Sequence, residues 1–273
     1  MTRSALNEVT TFRWSLAEDL HYYRTAGWEA IGLWRRKLAD FGEEKAIELV
    51  RESELTVSSL SWAGGFTGSE GHTSAESIAD ARVAIELAAE LNAGCLVIYS
   101  GGRNHHIRTH ALRLLRSAFD RLLPLAERNG VTLALEPMHH ACAADWTFLT
   151  SPREALALID EYASPRLKLA LDTYHFPHLA STGLTAADLT DRLALVQVGD
   201  ARAPHSIDQD RCPLGHGGVP NAKLLRSFIE AGYKGDFEVK LIGPSVEHLA
   251  YEDLVSDARE ALLDCVAADL SGR

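Results

Sequence analysis

The chain has 273 residues, 46% of them hydrophobic and 24% charged, which excludes a disordered chain and suits one α/β barrel of roughly 250 residues better than two ordinary domains. Its 27 Lys and Arg against 38 Asp and Glu give a net charge of −11, and a surface so acidic disfavours nucleic acid and anionic lipid as partners. Cys95, Cys142, Cys212 and Cys265 are scattered with no C-x-x-C pair, the pattern of reduced thiols rather than of a zinc knuckle or a disulfide framework.

Charged and polar residues interrupt the first twenty residues throughout, where a signal peptide needs an unbroken apolar stretch of roughly 7 to 15 residues. No apolar run approaches the roughly 18 to 20 residues of a membrane span. The sequence reads as a soluble, cytoplasmic protein.

In chain order, short Val-, Ile- and Leu-rich runs predict strands at Glu8–Phe12, Glu29–Leu33, Leu55–Ser61, Cys95–Ser100, Val131–Glu136, Leu167–Asp172, Leu193–Gln197 and Phe237–Leu241. Stretches of helical period separate them. Ser74–Asn92 carries an apolar stripe of Ile78, Ala81, Ile85 and Ala88, with Ser74 and Ser77 as N-cap candidates. Asn92-Ala93-Gly94, Arg128-Asn129-Gly130 and the Ala231–Gly235 segment each mark a helix-to-strand joint. Eight βα units without a linker predict a single (β/α)8 TIM barrel over residues 1–273. A doubly wound nucleotide-binding sheet is the rival, but the first strand is not followed by its glycine fingerprint, so no nucleotide cofactor is expected.

In a parallel barrel the chemistry gathers at the carboxyl ends of the strands. Glu136 ends VTLALE, Asp172 ends LKLALD, Gln197 ends LALVQ and Lys240 ends DFEVK. Glu136, Asp172 and Gln197 on successive strands form a hard oxygen-donor set suited to Mg²⁺ or Mn²⁺. His139 and His175 each stand three residues beyond one of these carboxylates, where an imidazole serves as proton carrier or orients a ligand. Two glycine-containing loops, Ser100–Arg103 and Leu214–Gly218, face the same end, and neither is a P-loop. Trp62 suits the apolar face of a sugar ring. Arg202 and His216, on the segment that leads into the second loop and on the loop itself, are further substrate-binding candidates. Trp28 and Trp34 are the residues that would feed a homo-oligomer interface.

LALEPMHH, LALDTYH, VQVGD, DRCPLGHGGVP and GYKGDFEV together resemble the xylose isomerase-like TIM-barrel family of sugar isomerases and epimerases, over nearly the whole chain. The resemblance implies a divalent metal, Mn or Mg, on Glu136, Asp172 and Gln197, and a carbohydrate-like substrate. The family's second metal-binding Glu has no counterpart here. Lys240 stands in its place, and a protonated amine is no ligand. Glu238, two residues earlier on the same face and one layer deeper, is the residue that would substitute for that Glu, and with His175 it is a further substrate-binding candidate.

The expected activity is proton abstraction next to the carbonyl of a sugar, keto-sugar or cyclitol, as an isomerase, epimerase or β-eliminating lyase. Glu136 or His139 would be the base, and the metal, Lys240 or both would stabilise the enediolate. The alternatives are a metal-free enzyme of specialised metabolism in which Lys240 replaces the metal, and a non-catalytic sugar-binding relative.

Overall fold

Side chains alternate along a strand, so a barrel of short strands needs one set of residues for its interior and another for the helices outside. The sequence supplies both. In the computed structural model, which describes residues 2–68, 71–144 and 146–267, Val97, Ala134, Ala170 and Leu195 pack with one another inside the barrel. Their neighbours Leu96, Ile98, Leu133, Leu135, Leu169, Leu171 and Val196 join the larger core between strands and helices.

The strands are β1 (Ser4–Asn7), β2 (Ala30–Trp34), β3 (Thr56–Gly64), β4 (Leu96–Tyr99), β5 (Leu133–Leu135), β6 (Leu167–Asp172), β7 (Leu193–Val198) and β8 (Phe237–Val239). All pair in parallel in chain order, and β8 returns to β1 to close the barrel. This is a single TIM-barrel domain.

The first strand differs from the expected Glu8–Phe12. Asn7 accepts a hydrogen bond on its side chain from the Val9 N–H and turns the chain into a 3-10 helix at Glu8–Thr11. The inconspicuous Ser4–Asn7 run makes the pairing instead, with Ala5 opposite Ala30 and Glu238. The helix Ser74–Glu90 keeps its predicted stripe, with Ile78, Ala81, Ile85 and Ala88 buried. Its N-cap is Thr73 rather than Ser74 or Ser77, because only Thr73 has a Glu three residues on: Thr73 and Glu76 exchange side-chain and backbone hydrogen bonds in a capping box. Trp28 is no interface residue; it is 3% exposed and its indole N–H donates to the Val255 carbonyl. Trp34 lies half-buried against Trp62.

The floor of the barrel is polar. Asn7, Ser58, Ser59 and Gln197 all donate to the Glu238 carboxylate. β2 passes so close that a Cβ on Gly32 would lie 2.5 Å from Glu238 Oε2, which is why glycine stands there. At the other end, Asp200 organises the segment after β7. Its carboxylate accepts from the backbone N–H groups of Ala201, Gly215, Gly217 and Val219. The glycines of the Leu214–Gly218 loop thus serve loop closure, and a Cβ on Gly217 would sit 2.1 Å from Asp200 Oδ1.

Among the described residues, no helix is long and apolar enough to cross a membrane.

Because Asp200 is 2% exposed and accepts four backbone N–H groups at once, Asp200→Ala removes the acceptor that holds this loop and is expected to lower stability by about 2 kcal/mol or more in urea unfolding. Thr73→Ala, which removes one cap, should cost about 1 kcal/mol. A smaller loss for Asp200→Ala than for Thr73→Ala would contradict this account of the loop.

Candidate active site

The period-two alternation carries Glu136, Asp172, Gln197 and Lys240 to the inside of the barrel at the ends of β5, β6, β7 and β8. Asp172 and Gln197 are register partners across β6 and β7. Glu136 and Asp172 are fully buried, and Lys240 is 7% exposed.

The Lys240 ammonium donates to Gln197 Oε1 at 2.9 Å and reaches Glu136 Oε1 and the Tyr99 hydroxyl at 3.4 Å each. Tyr99 in turn donates to Glu136 Oε2 at 2.9 Å. Glu136 therefore has a cation on one oxygen and a phenol on the other. Burial pushes its carboxyl above the ordinary value; Lys240 opposes that rise and Asp172 adds to it.

A second cation, Arg211, serves Asp172. The guanidinium Nη2 lies 2.8 Å from Asp172 Oδ2, both fully buried, Nη1 donates to the Lys240 carbonyl, and the plane stacks on Tyr174 at 4.4 Å. Burial alone would raise the Asp172 carboxyl, but Arg211, with Lys240 farther off, outweighs it and holds it down at about 2. The backbone fixes both partners: Tyr174 N–H donates to Asp172 Oδ1, and Arg211 N–H donates to the Ile242 carbonyl.

His175 is 1% exposed, and neither ring nitrogen has a hydrogen-bond partner; Asp172 Oδ2 and Arg211 Nε and Nη2 are also left without an aligned one. Burial pushes the imidazole well below its ordinary pKa, against the pull of Asp172. Unpaired buried polar atoms that converge in one place mark where a ligand belongs. Glu136, Asp172 and His175 offer ligand atoms all within 4.8 Å of one another, two carboxylates and a neutral imidazole, a set that fits a divalent metal.

The structure thus brings Glu136, Asp172, His175, Gln197 and Lys240 together, with two differences from the expected roles. The Gln197 amide is spoken for, its oxygen by Lys240 and its nitrogen by Glu238, and His175 lies where the third metal ligand was expected from Gln197. Glu238 is held in the floor by its four donors.

His139 stands further out. It stacks on His205 at 4.0 Å and accepts from the Ala141 N–H, while burial and the neighbouring His205 and His140 bring its pKa down to about 4. Arg202 and His216 contact each other on the exposed loop. Trp62 packs with Tyr99 and Trp146 at the mouth.

Three of these residues were missed in the sequence. Tyr99 ends the CLVIY run and follows the same strand-end rule that found Glu136. Arg211 and Trp146 sit on loops, where no periodicity singles them out.

Comparison with known proteins agrees with this geometry. The chain is 26% identical over 151 residues to inosose isomerase of Halalkalibacterium halodurans, covering 54% of this chain and 52% of that one. It is 26% identical over 176 residues to ketose 3-epimerase of Arthrobacter globiformis, covering 61% and 57%. The chain therefore spans about half the length of these curated relatives. Among solved structures, an IolI protein with a binding zinc atom superposes with a TM-score of 0.83 at 20% identity, covering 99% of this chain and all of that one. The model of the xylose isomerase-like TIM barrel matches residues 20–265, and with the closed eight-stranded barrel and its strand-end carboxylates this makes the chain a member of the xylose isomerase-like TIM-barrel family.

Proposed function

We propose that this protein is an isomerase that moves a proton next to the carbonyl of a sugar, keto-sugar or cyclitol, with Glu136 as the single base and Lys240 as the cation at the substrate oxygen. The contact of Lys240 with Glu136 carries this reading: one buried carboxylate with a raised pKa stands beside one buried ammonium at 3.4 Å, so that a substrate seated over the pair offers its carbonyl oxygen to Lys240 and the neighbouring carbon to Glu136. Sequence homology to an inosose isomerase and a ketose 3-epimerase supports the substrate class.

Glu136 is favoured over His139 as base because the His139 Nδ1 is occupied by the Ala141 N–H and its pKa lies near 4, which makes it a poor proton acceptor. A symmetric reaction with two glutamates has no second base, since Glu238 is saturated by Asn7, Ser58, Ser59 and Gln197. One base serving one face suits 1,2-isomerisation. The same asymmetry, a base opposite an acid, favours β-elimination as the second reading.

His175, whose ring nitrogens are without a partner, would hold the hydroxyl next to the carbonyl, while Arg211 stays on Asp172. Tyr99 holds Glu136 in place and keeps its second oxygen from the substrate's proton. Glu136, Asp172 and His175 would hold a divalent metal, which when bound acts as a Lewis acid on the carbonyl oxygen. Lys240 and Arg211 already compensate the two carboxylates, so binding of that metal is weak.

In D2O, a panel of ketoses and inososes followed by NMR should show deuterium entering at the carbon next to the carbonyl. Glu136→Gln should slow that entry by at least about a hundredfold, and His139→Asn should leave it within about threefold. Exchange that survives in Glu136→Gln would remove it as base.

Lys240→Met should lower kcat about 10²- to 10³-fold with KM within a few-fold, because its charge acts on an oxyanion that exists only in the transition state. An effect confined to KM would contradict that role. With a base whose carboxyl is raised, kcat/KM should fall on acidification at a pH above the ordinary carboxylate value of 4.5 and stay high above it. An acid limb below 4.5 would exclude Glu136.

A further inference from the structure

The cavity over Lys240 is apolar where a sugar site needs donors and acceptors. It holds about 220 Å³ and is faced by Phe12, Trp34, Trp62, Met138, Trp146 and Ile242. Of its polar side chains, Thr10 Oγ1 accepts from the Leu241 N–H, the Tyr99 hydroxyl donates to Glu136 and Lys240 is turned to Gln197 and Glu136, which leaves Gln209 and Glu247 to meet polar groups of a ligand. Most hydroxyls of a sugar buried here would give up their hydrogen bonds to water without replacement. An apolar cavity of about 150 Å³ is enough for a benzene ring, so this one has room for a single aromatic ring and its point of attachment.

Two further observations agree. Phe12, at the rim, is 42% exposed, an aromatic ring that stands open to water beside the cavity. On the other side of Trp62, Tyr99 and Trp146 lies a second cavity of about 290 Å³ lined by Arg35, His72, Glu76 and Asp80. The aromatic wall thus separates a polar space from an apolar one, a division that suits a substrate with one polar and one apolar end.

We propose that the substrate is a carbohydrate or cyclitol bearing an aromatic or similarly flat apolar group, with that group seated among Phe12, Trp34, Trp62 and Trp146 and the carbonyl-bearing ring turned toward Lys240. The inference rests on the proton-transfer reading of the site for the second half of that statement only. The apolar subsite is a property of the cavity itself.

The test is titration of the full chain with benzyl alcohol, phenyl β-D-glucopyranoside and D-fructose, followed by quenching of tryptophan fluorescence and by calorimetry. Both aromatic probes should saturate, with affinity at least about tenfold tighter than D-fructose. Phe12→Ala should weaken them about threefold to tenfold, and Ile242→Trp, which fills the cavity, should abolish their binding while thermal unfolding shows both variants folded. If Ile242→Trp does not fold, Phe12→Ala still decides, because its ring packs at the rim.

The proposal is overturned if D-fructose binds as tightly as the aromatic probes, if the aromatic probes do not saturate, or if they bind both variants like the wild type. Glu136-dependent deuterium exchange in simple ketoses with no aromatic binding would remove the substrate class and leave the proton-transfer reading standing. Aromatic binding without any exchange would do the reverse.

Discussion

Two carboxylates and two cations share the mouth of one closed barrel, Glu136, Asp172 and Arg211 fully buried and Lys240 only 7% exposed. A buried charge is tolerated only when it is paired and held by further hydrogen bonds, and the surrounding structure meets that condition. Strand alternation brings Glu136, Asp172 and Lys240 inward. The segment that Asp200 ties to the barrel delivers Arg211 from outside the sheet. The Lys240 carbonyl accepts from Arg211, so the backbone that positions one cation also positions the other.

The pairing also divides the labour. Asp172, beside Arg211, is held at about 2 and stays ionised, a fixed charge that orients and does not exchange protons. In the proposed reaction Glu136, with its ammonium at 3.4 Å and burial raising its pKa, is the carboxylate that takes and returns the proton. Neighbouring acids whose surroundings push them apart are the usual sign of separate roles. Below them, Glu238 is a structural anion: it is buried like Glu136, yet its four donors leave it nothing to do at the mouth.

The eightfold alternation was legible in the sequence because seven of the strands are Val-, Ile- or Leu-rich runs between helix stops. Glu136, Asp172, Gln197 and Lys240 were legible because each is the polar residue that ends such a run, a position that topology turns toward the axis. β1 was not, since Ser4–Asn7 is too short and too polar to stand out, and its place is fixed by pairing with β2 and β8.

Which groups satisfy one another was also hidden. Gln197 and His175 both lie beside the carboxylates, and only the hydrogen bond from Lys240 shows that the amide is taken and the imidazole is not. Arg211 enters from a loop, so no periodicity points to it, whereas Arg202, nine residues earlier in the same segment, turns to His216 on the exposed surface. Charge type on a loop says little about which side chain folds inward.

In the proposed site the Lys240 ammonium occupies the place from which a fourth ligand would strengthen a metal on Glu136, Asp172 and His175. Calorimetric titration of the metal-free wild type and of Lys240→Glu with Mn²⁺ tests it most directly. Exchanging an ammonium for a carboxylate beside Glu136 should tighten binding by at least about a hundredfold. Equal affinities for the two proteins would show that Lys240 does not stand at the metal position, and the account of the site would fail.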